Sequence, residues 1–287
     1  MINKNNILKK NNLPYPYTII EDFFEEKFYY NLKKYFPTEN QFQRQKNKIQ
    51  RMHFDTSYGD ELYDNLIKNS EEYKKLHEYI YSNEFISFYM NHFKDEIKKE
   101  INSGNLQNLK DFKLISEPFE KDKIFDMTDF EKSHDFKNIL YPRIDLGIGK
   151  KDYGLVKGGK GIHVDNPQRL ISIIFYIGGY KDIEGGEFRV WEKINENLEI
   201  FEIIPPKENM MIISLQTNHS FHDVNPVKKI TGSRNAFYMA ISSNKRIWKN
   251  LVKNKINKNF NKNRYPKQNK FIDKLKLKKF YNKIFLK

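Results

Sequence analysis

The chain has 287 residues, no cysteine and a formal charge of +14. Without cysteine, disulfides, zinc ribbons, iron–sulfur clusters and thiol nucleophiles are excluded. Any bound metal must take His and carboxylate ligands, a set that suits Fe(II), Mn or a His/Asp zinc site. The charge is segregated: 16 of the 51 Lys/Arg and one of the 37 acids lie in residues 245–287, giving that tail +15, while the other 244 residues carry −1.

No apolar run approaches the ~20 residues of a membrane span. The opening "MINKNNILKKNN" lacks the apolar centre of a signal peptide. A cytoplasmic protein with no transmembrane segment is the expectation.

Residues 14–37, "PYPYTIIEDFFEEKFYYNLKKYFP", read as a short strand and then a helix. Asp22 is the expected N-cap, with Glu25 three residues on as in a capping box. Phe24, Phe28, Leu32 and Tyr35 recur at helical spacing, and Pro37 ends the element. Residues 60–102 continue the helical pattern with charged outer faces and an aromatic inner face.

From about residue 111 the period shortens. "FKLISEPFE", "YPRIDLGIG", "RLISIIFYIGG", "GGEFRVWEK", "LEIFEIIPP", "NMMIISL" and "NAFYMAISS" are strand-like runs separated by Gly and Pro turns. Many short strands without intervening helices predict an antiparallel sandwich or jelly roll. The chain therefore divides into 1–110, an N-terminal strand with supporting helices, 111–244, a β core, and 245–287, the Lys/Asn-rich tail. The fold class is α+β, mainly β.

Polar chemistry concentrates at His163-Val164-Asp165, directly before "RLISIIFYIGG". Alternate residues of a strand share a face, so both side chains can reach one ion. The spacing alone leaves two readings open, a half metal site or two loop residues. His53-Phe54-Asp55 repeats the pattern in what reads as a polar loop, where His53 is a surface or packing residue.

The residues C-terminal to Asp165 decide between the two readings. An apolar strand leads to Gly185-Gly186-Glu187, then to His222-Asp223-Val224-Asn225-Pro226-Val227, then to Gly232-Ser233-Arg234. In this order the motifs resemble those of the Fe(II)/2-oxoglutarate-dependent dioxygenases, in particular the prolyl 4-hydroxylase-like branch. The resemblance covers residues 140–243, and extends more loosely to 14–37.

The resemblance implies a double-stranded β-helix (jelly-roll) core and an Fe(II) held by His163, Asp165 and His222. It selects His222 over His219. It implies that 2-oxoglutarate and O2 occupy the remaining iron positions, that Arg234 binds the far carboxylate of 2-oxoglutarate, and that Tyr153 or Tyr141 contacts the same cosubstrate. Arg143 and Arg169 are candidates for meeting a small-molecule or peptidyl substrate. The implied reaction hydroxylates a C–H bond and releases succinate and CO2.

Two other classes compete with this enzyme. One is a non-catalytic jelly-roll binding module. The other is a binder of nucleic acid or anionic membrane acting through residues 245–287.

The motifs also depart from the family pattern. "KKIT" before Gly232 lengthens the approach to Arg234, and Asn209 stands where a turn glycine is usual. Asn tolerates the left-handed backbone that such a turn needs.

Overall fold

The β-branched and aromatic run after residue 168 forms the longest strand among the described residues, and the architecture is built on its two faces. The computed structural model describes residues 1–44, 53–118, 138–150, 161–195 and 197–249. Strands β1 (Ile7–Asn11) and β2 (Tyr17–Glu21) lead to helices α1 (Glu26–Lys34) and α2 (Glu39–Arg44). Strand β3 (His53–Ser57) precedes four helices, α3 (Glu61–Asn69), α4 (Glu71–Ile80), α5 (Asn83–His92) and α6 (Lys94–Asn102). The β region comprises β4 (Lys113–Leu114), β5 (Ile139–Gly149), β6 (Arg169–Glu184), β7 (Phe188–Ile194), β8 (Asn197–Ile204), β9 (Met210–Leu215), β10 (His222–Val224) and β11 (Lys229–Ser243).

Among the described residues these strands form two sheets. The larger runs β1-β2-β9-β6-β11-β5-β3, with β4 parallel to β5, and the smaller runs β10-β7-β8. Apart from β4, every pairing is antiparallel. This is the expected mainly β, α+β architecture, two sheets with N-terminal helices packed on the larger one.

Alternation along β6 divides its side chains between two cores. Ile171, Ile173, Phe175 and Ile177 join the larger cluster, which includes Leu32, Leu76, Ile80, Phe85 and Tyr89 of the helices. Ile174 and Tyr176 face the other way, into a smaller cluster with Phe188, Val190 and Ile204 of the small sheet. This second cluster lines the space between the sheets, where the site lies.

Local chemistry explains the helices. Ser70 and Ser82 cap α4 and α5, their hydroxyls accepting from the N–H of Tyr73 and Phe85. The buried residues Tyr73, Leu76 and Ile80 of α4 recur at helical spacing. Phe175 then joins the N-terminal segment to the sheet, with Phe24 and Phe237 rings at 4.8 and 5.7 Å.

Several local expectations are corrected. Asp22 does not cap α1: it adopts a left-handed φ of 51°, and the N-cap is Glu25, without a side-chain capping bond. Tyr35 is exposed just past the end of α1. His53 lies not in a loop but in β3, opposite Gly149 of β5. Of "FKLISEPFE", only Lys113–Leu114 is a strand among the described residues. Of "KKIT", Lys229–Thr231 open β11, and Lys229 and Ile230 pair with the end of β6.

Asn209 does take the left-handed backbone, at φ 56°. Its side chain also bridges Phe24, accepting from the Phe24 N–H at 3.0 Å and donating to the Phe24 carbonyl at 2.9 Å. A glycine could make the turn but not this clamp on the N-terminal segment.

Among the described residues no helix is long and apolar enough to cross a membrane. The basic tail lies outside the described residues from position 250 onward.

Asn209→Ala removes both bonds to Phe24 and leaves a Cβ-bearing residue in the left-handed conformation. It is expected to destabilise the protein by about 2–4 kcal/mol in urea unfolding, and Asn209→Gly, which relieves the backbone, by less.

Candidate metal centre

His163 and His222 face each other as a single antiparallel bridge. Each donates its backbone N–H to the carbonyl of the other, at 3.0 and 2.9 Å. In such a directly opposed pair both side chains leave on the same face, and the two imidazole centroids lie 4.5 Å apart. Asp165, two residues beyond His163, shares that face. Ligand atoms of His163, Asp165 and His222 all lie within 4.8 Å of one another, and these three form the one such metal-competent group among the described residues.

Hydrogen bonds fix which ring nitrogens converge. His163 Nδ1 lies 2.7 Å from the Gly161 carbonyl, and His222 Nδ1 lies 2.8 Å from the Ser220 carbonyl. A carbonyl only accepts, so each Nδ1 donates, and Nε2 is the nitrogen that turns inward, with a free lone pair in the neutral form of the ring. Those Nε2 atoms lie 3.5 and 3.8 Å from the Asp165 carboxylate. Two lone pairs and an anion so close repel one another unless a cation lies between them, so the donor set fits a divalent metal.

Asp165 is nearly buried and has its own support. Its Oδ2 accepts from the Ser172 hydroxyl at 2.7 Å and from Arg169 Nη1 at 2.9 Å. Burial alone would raise this carboxyl. Arg169 is the largest of the groups that outweigh burial and hold it well below the usual carboxylate range.

The strand carrying His222 is clamped on its other face. Asp223 pairs with both ends of the Arg189 guanidinium and accepts from Trp191 Nε1 at 2.8 Å. Phe188 stacks on the His222 ring with centroids 5.4 Å apart. Beside the strand, Ser220 donates to Gln216 Oε1 at 3.1 Å, fixing the residue whose carbonyl orients His222.

Arg234 is fully buried. The pairing of β11 with β6 slips between Gly232 and Asn235, a bulge of the kind that re-aims a side chain. The guanidinium donates to the Tyr238 hydroxyl at 3.2 Å and to the Tyr176 hydroxyl at 3.1 Å. Both tyrosines belong to the cluster between the sheets. Gly186, at φ 79°, lies beside Arg234: a Cβ there would stand 3.1 Å from Ile183 Cδ1 and 3.2 Å from Val227 Cγ2.

The other expected site residues divide. Tyr141 is buried on β5, its phenol pushed up by burial. Arg143 pairs with Asp145 at 2.7 Å, and Arg169 with Asp165 at 2.9 Å. Tyr153 lies outside the described residues. His219 is exposed and takes no part in the three-residue cluster.

Sequence reasoning missed Ser172, Ser220, Tyr176, Tyr238 and the Arg189–Asp223 pair. The strand alternation from Ser172 to Ile174 to Tyr176 was the available signal for Ser172 and Tyr176. The others depend on contacts across the sheets.

Residues 152–241 match the family model described as 2OG-Fe(II) oxygenase superfamily, a segment that contains His163, Asp165, His222 and Arg234. No curated protein matches the chain. Similar solved structures include a prolyl 4-hydroxylase from Phytophthora capsici, at 16% identity and TM-score 0.42, covering 79% of this chain and 58% of that one. A Pseudomonas putida prolyl-4-hydroxylase has 11% identity and TM-score 0.37, covering 79% and 91%. The viral collagen prolyl hydroxylase of Paramecium Bursaria Chlorella virus-1 has 14% identity and TM-score 0.36, covering 78% and 94%. At these scores the likeness carries no assignment of activity or substrate.

Since the folded Asp165 carboxyl titrates below its unfolded value of ~3.9, its charge stabilises the fold above that pH. The contribution is lost as pH falls below about 4 toward the folded value. Combining Arg169→Met with Ser172→Ala removes both donors and raises the carboxyl. The acid limb of thermal unfolding, measured with chelator present, is expected to move to higher pH in the double variant. An unmoved limb would dissociate Asp165 from acid stability.

Proposed function

We propose, taking residues 152–241 as a segment of the 2OG-Fe(II) oxygenase superfamily, that the site binds Fe(II) through His163, Asp165 and His222 and hydroxylates a C–H bond of an organic substrate. The observation that carries this is the convergence of two Nε2 lone pairs on one buried carboxylate. Bound Fe(II), with 2-oxoglutarate and O2, supplies an oxidation in which the cosubstrate becomes succinate and CO2, one oxygen atom going to succinate and the other to the substrate as hydroxyl.

The chain's own residues do the rest. The Gly161 and Ser220 carbonyls keep the Nδ1 protons away from the metal side of both rings. Ser172 and Arg169 keep Asp165 ionised and fixed, as a carboxylate ligand must be. Arg234 remains charged when buried and presents a planar fork of donors, which suits the far carboxylate of 2-oxoglutarate. The apolar walls from Phe188, Val190, Ile204, Met210 and Ile212 exclude bulk water from the space between the sheets.

His163→Ala, Asp165→Ala and His222→Ala should each abolish Mn(II) retention, measured by calorimetry, together with 2-oxoglutarate-dependent succinate release. Arg234→Ala should keep the metal and weaken 2-oxoglutarate binding by at least about tenfold. Normal succinate release by His222→Ala would sink the ligand assignment.

A further inference from the structure

Tyr15 stands between Pro14 and Pro16, immediately before β2. Pro16 confines it to extended backbone, so Tyr15 and Tyr17, two apart, share a face. Their rings lie 5.6 Å apart, and both are buried between the sheets with Tyr176, Phe188 and Met210.

The two phenols differ in what they meet. The Tyr17 hydroxyl donates to the Glu202 carboxylate. The Tyr15 hydroxyl, on a side chain 2% exposed, has no hydrogen-bond partner among the described residues. Burial pushes this phenol well above its ordinary range, and the charges around it, including those of Asp165 and Asp223, push it further. It therefore stays protonated and is a donor.

Its surroundings indicate what it would donate to. The cluster that holds Tyr15 also contains Tyr176 and Tyr238, the two tyrosines that accept from Arg234. A ligand reaching this depth must fit wholly between the sheets, which favours a small molecule. Where a guanidinium also faces that space, an anionic oxygen is the complementary acceptor.

We propose that Tyr15 is a ligand-binding residue whose hydroxyl donates a hydrogen bond to a carboxylate oxygen of a small dicarboxylate held between the sheets, alongside Arg234. The inference rests on the oxygenase function proposed for the site, in which that dicarboxylate is 2-oxoglutarate. It assigns part of the cosubstrate site to the N-terminal segment, outside residues 152–241.

The test titrates 2-oxoglutarate calorimetrically into the Mn(II)-loaded full chain, as wild type, Tyr15→Phe and Arg234→Ala, and measures thermal unfolding of each without ligand. Tyr15→Phe keeps the ring and deletes only the hydroxyl. It is expected to unfold at the same or a higher temperature than wild type without ligand, because a buried donor lacking a partner is lost. Mn(II) affinity should be unchanged and 2-oxoglutarate binding about tenfold weaker, a change of about 1.4 kcal/mol.

Equal 2-oxoglutarate affinity in wild type and Tyr15→Phe would overturn the inference and leave the oxygenase function standing. A lower unfolding temperature without ligand, or lost Mn(II) affinity, would make the hydroxyl structural and overturn it too. Failure of the wild type itself to bind 2-oxoglutarate would overturn the proposed function, and the inference with it.

Discussion

The reciprocal backbone bonds between His163 and His222 are the constraint on which the site depends. A slip of one residue would turn one imidazole to the opposite face and disperse the cluster, because side chains alternate along a strand. The register is therefore fixed from several directions. The Trp191 N–H bonds to the Phe221 carbonyl, the Gly186 N–H to the Asn225 carbonyl, and the Asn225 N–H to the Glu187 carbonyl. Gly185, at φ 87°, permits the close approach: a Cβ there would stand 2.0 Å from the Pro226 carbonyl oxygen. The paired glycines thus set where β10 lies against β7, and through it where His222 points.

Buried charge is distributed around that register. Asp165 is kept anionic by Arg169 and Ser172, while Asp223, on the other face of the strand that carries His222, is paired with Arg189. The second pair lies on the opposite face from His163, Asp165 and His222, yet it anchors that strand. Breaking a pair of this kind leaves a buried charge uncompensated, which costs far more than the pair contributes. Arg234 is handled differently, its guanidinium donating to the phenols of Tyr176 and Tyr238.

The N-terminal segment does more than prop the sheet from outside. Strand β2 pairs with β9 and thereby extends the large sheet, and Tyr15 and Tyr17 complete the wall between the sheets. On the other side Phe23 and Phe24 pack on Phe175, and Asn209 hydrogen-bonds Phe24. The segment therefore touches both cores, which explains why aromatic residues are dense in "PYPYTIIEDFF".

Much of this was legible in the residues because periodicity is local. The short-strand pattern after residue 111, the helical pattern of 60–102, and the ordered motifs at His163, Gly185, His222 and Arg234 depend on neighbours in sequence. The turn at Asn209 was readable for the same reason. Asp22 misled because a capping box is only one use of a short acidic side chain, and the backbone took a left-handed turn there instead. For Arg169 and Arg143 the residues showed charge near the site but not the carboxylates they meet, Asp165 and Asp145. The sequence by itself determined the strand alternation that puts His163 and Asp165 on one face, the donor types available, and the conformational freedom of the glycine turns. Only the tertiary structure decided that His222 stands opposite His163, that Ser172 and Arg169 hold Asp165, and that two tyrosines cradle Arg234. Those contacts join residues on separate strands, and their geometry is set by sheet register and burial, which no local pattern of residues encodes.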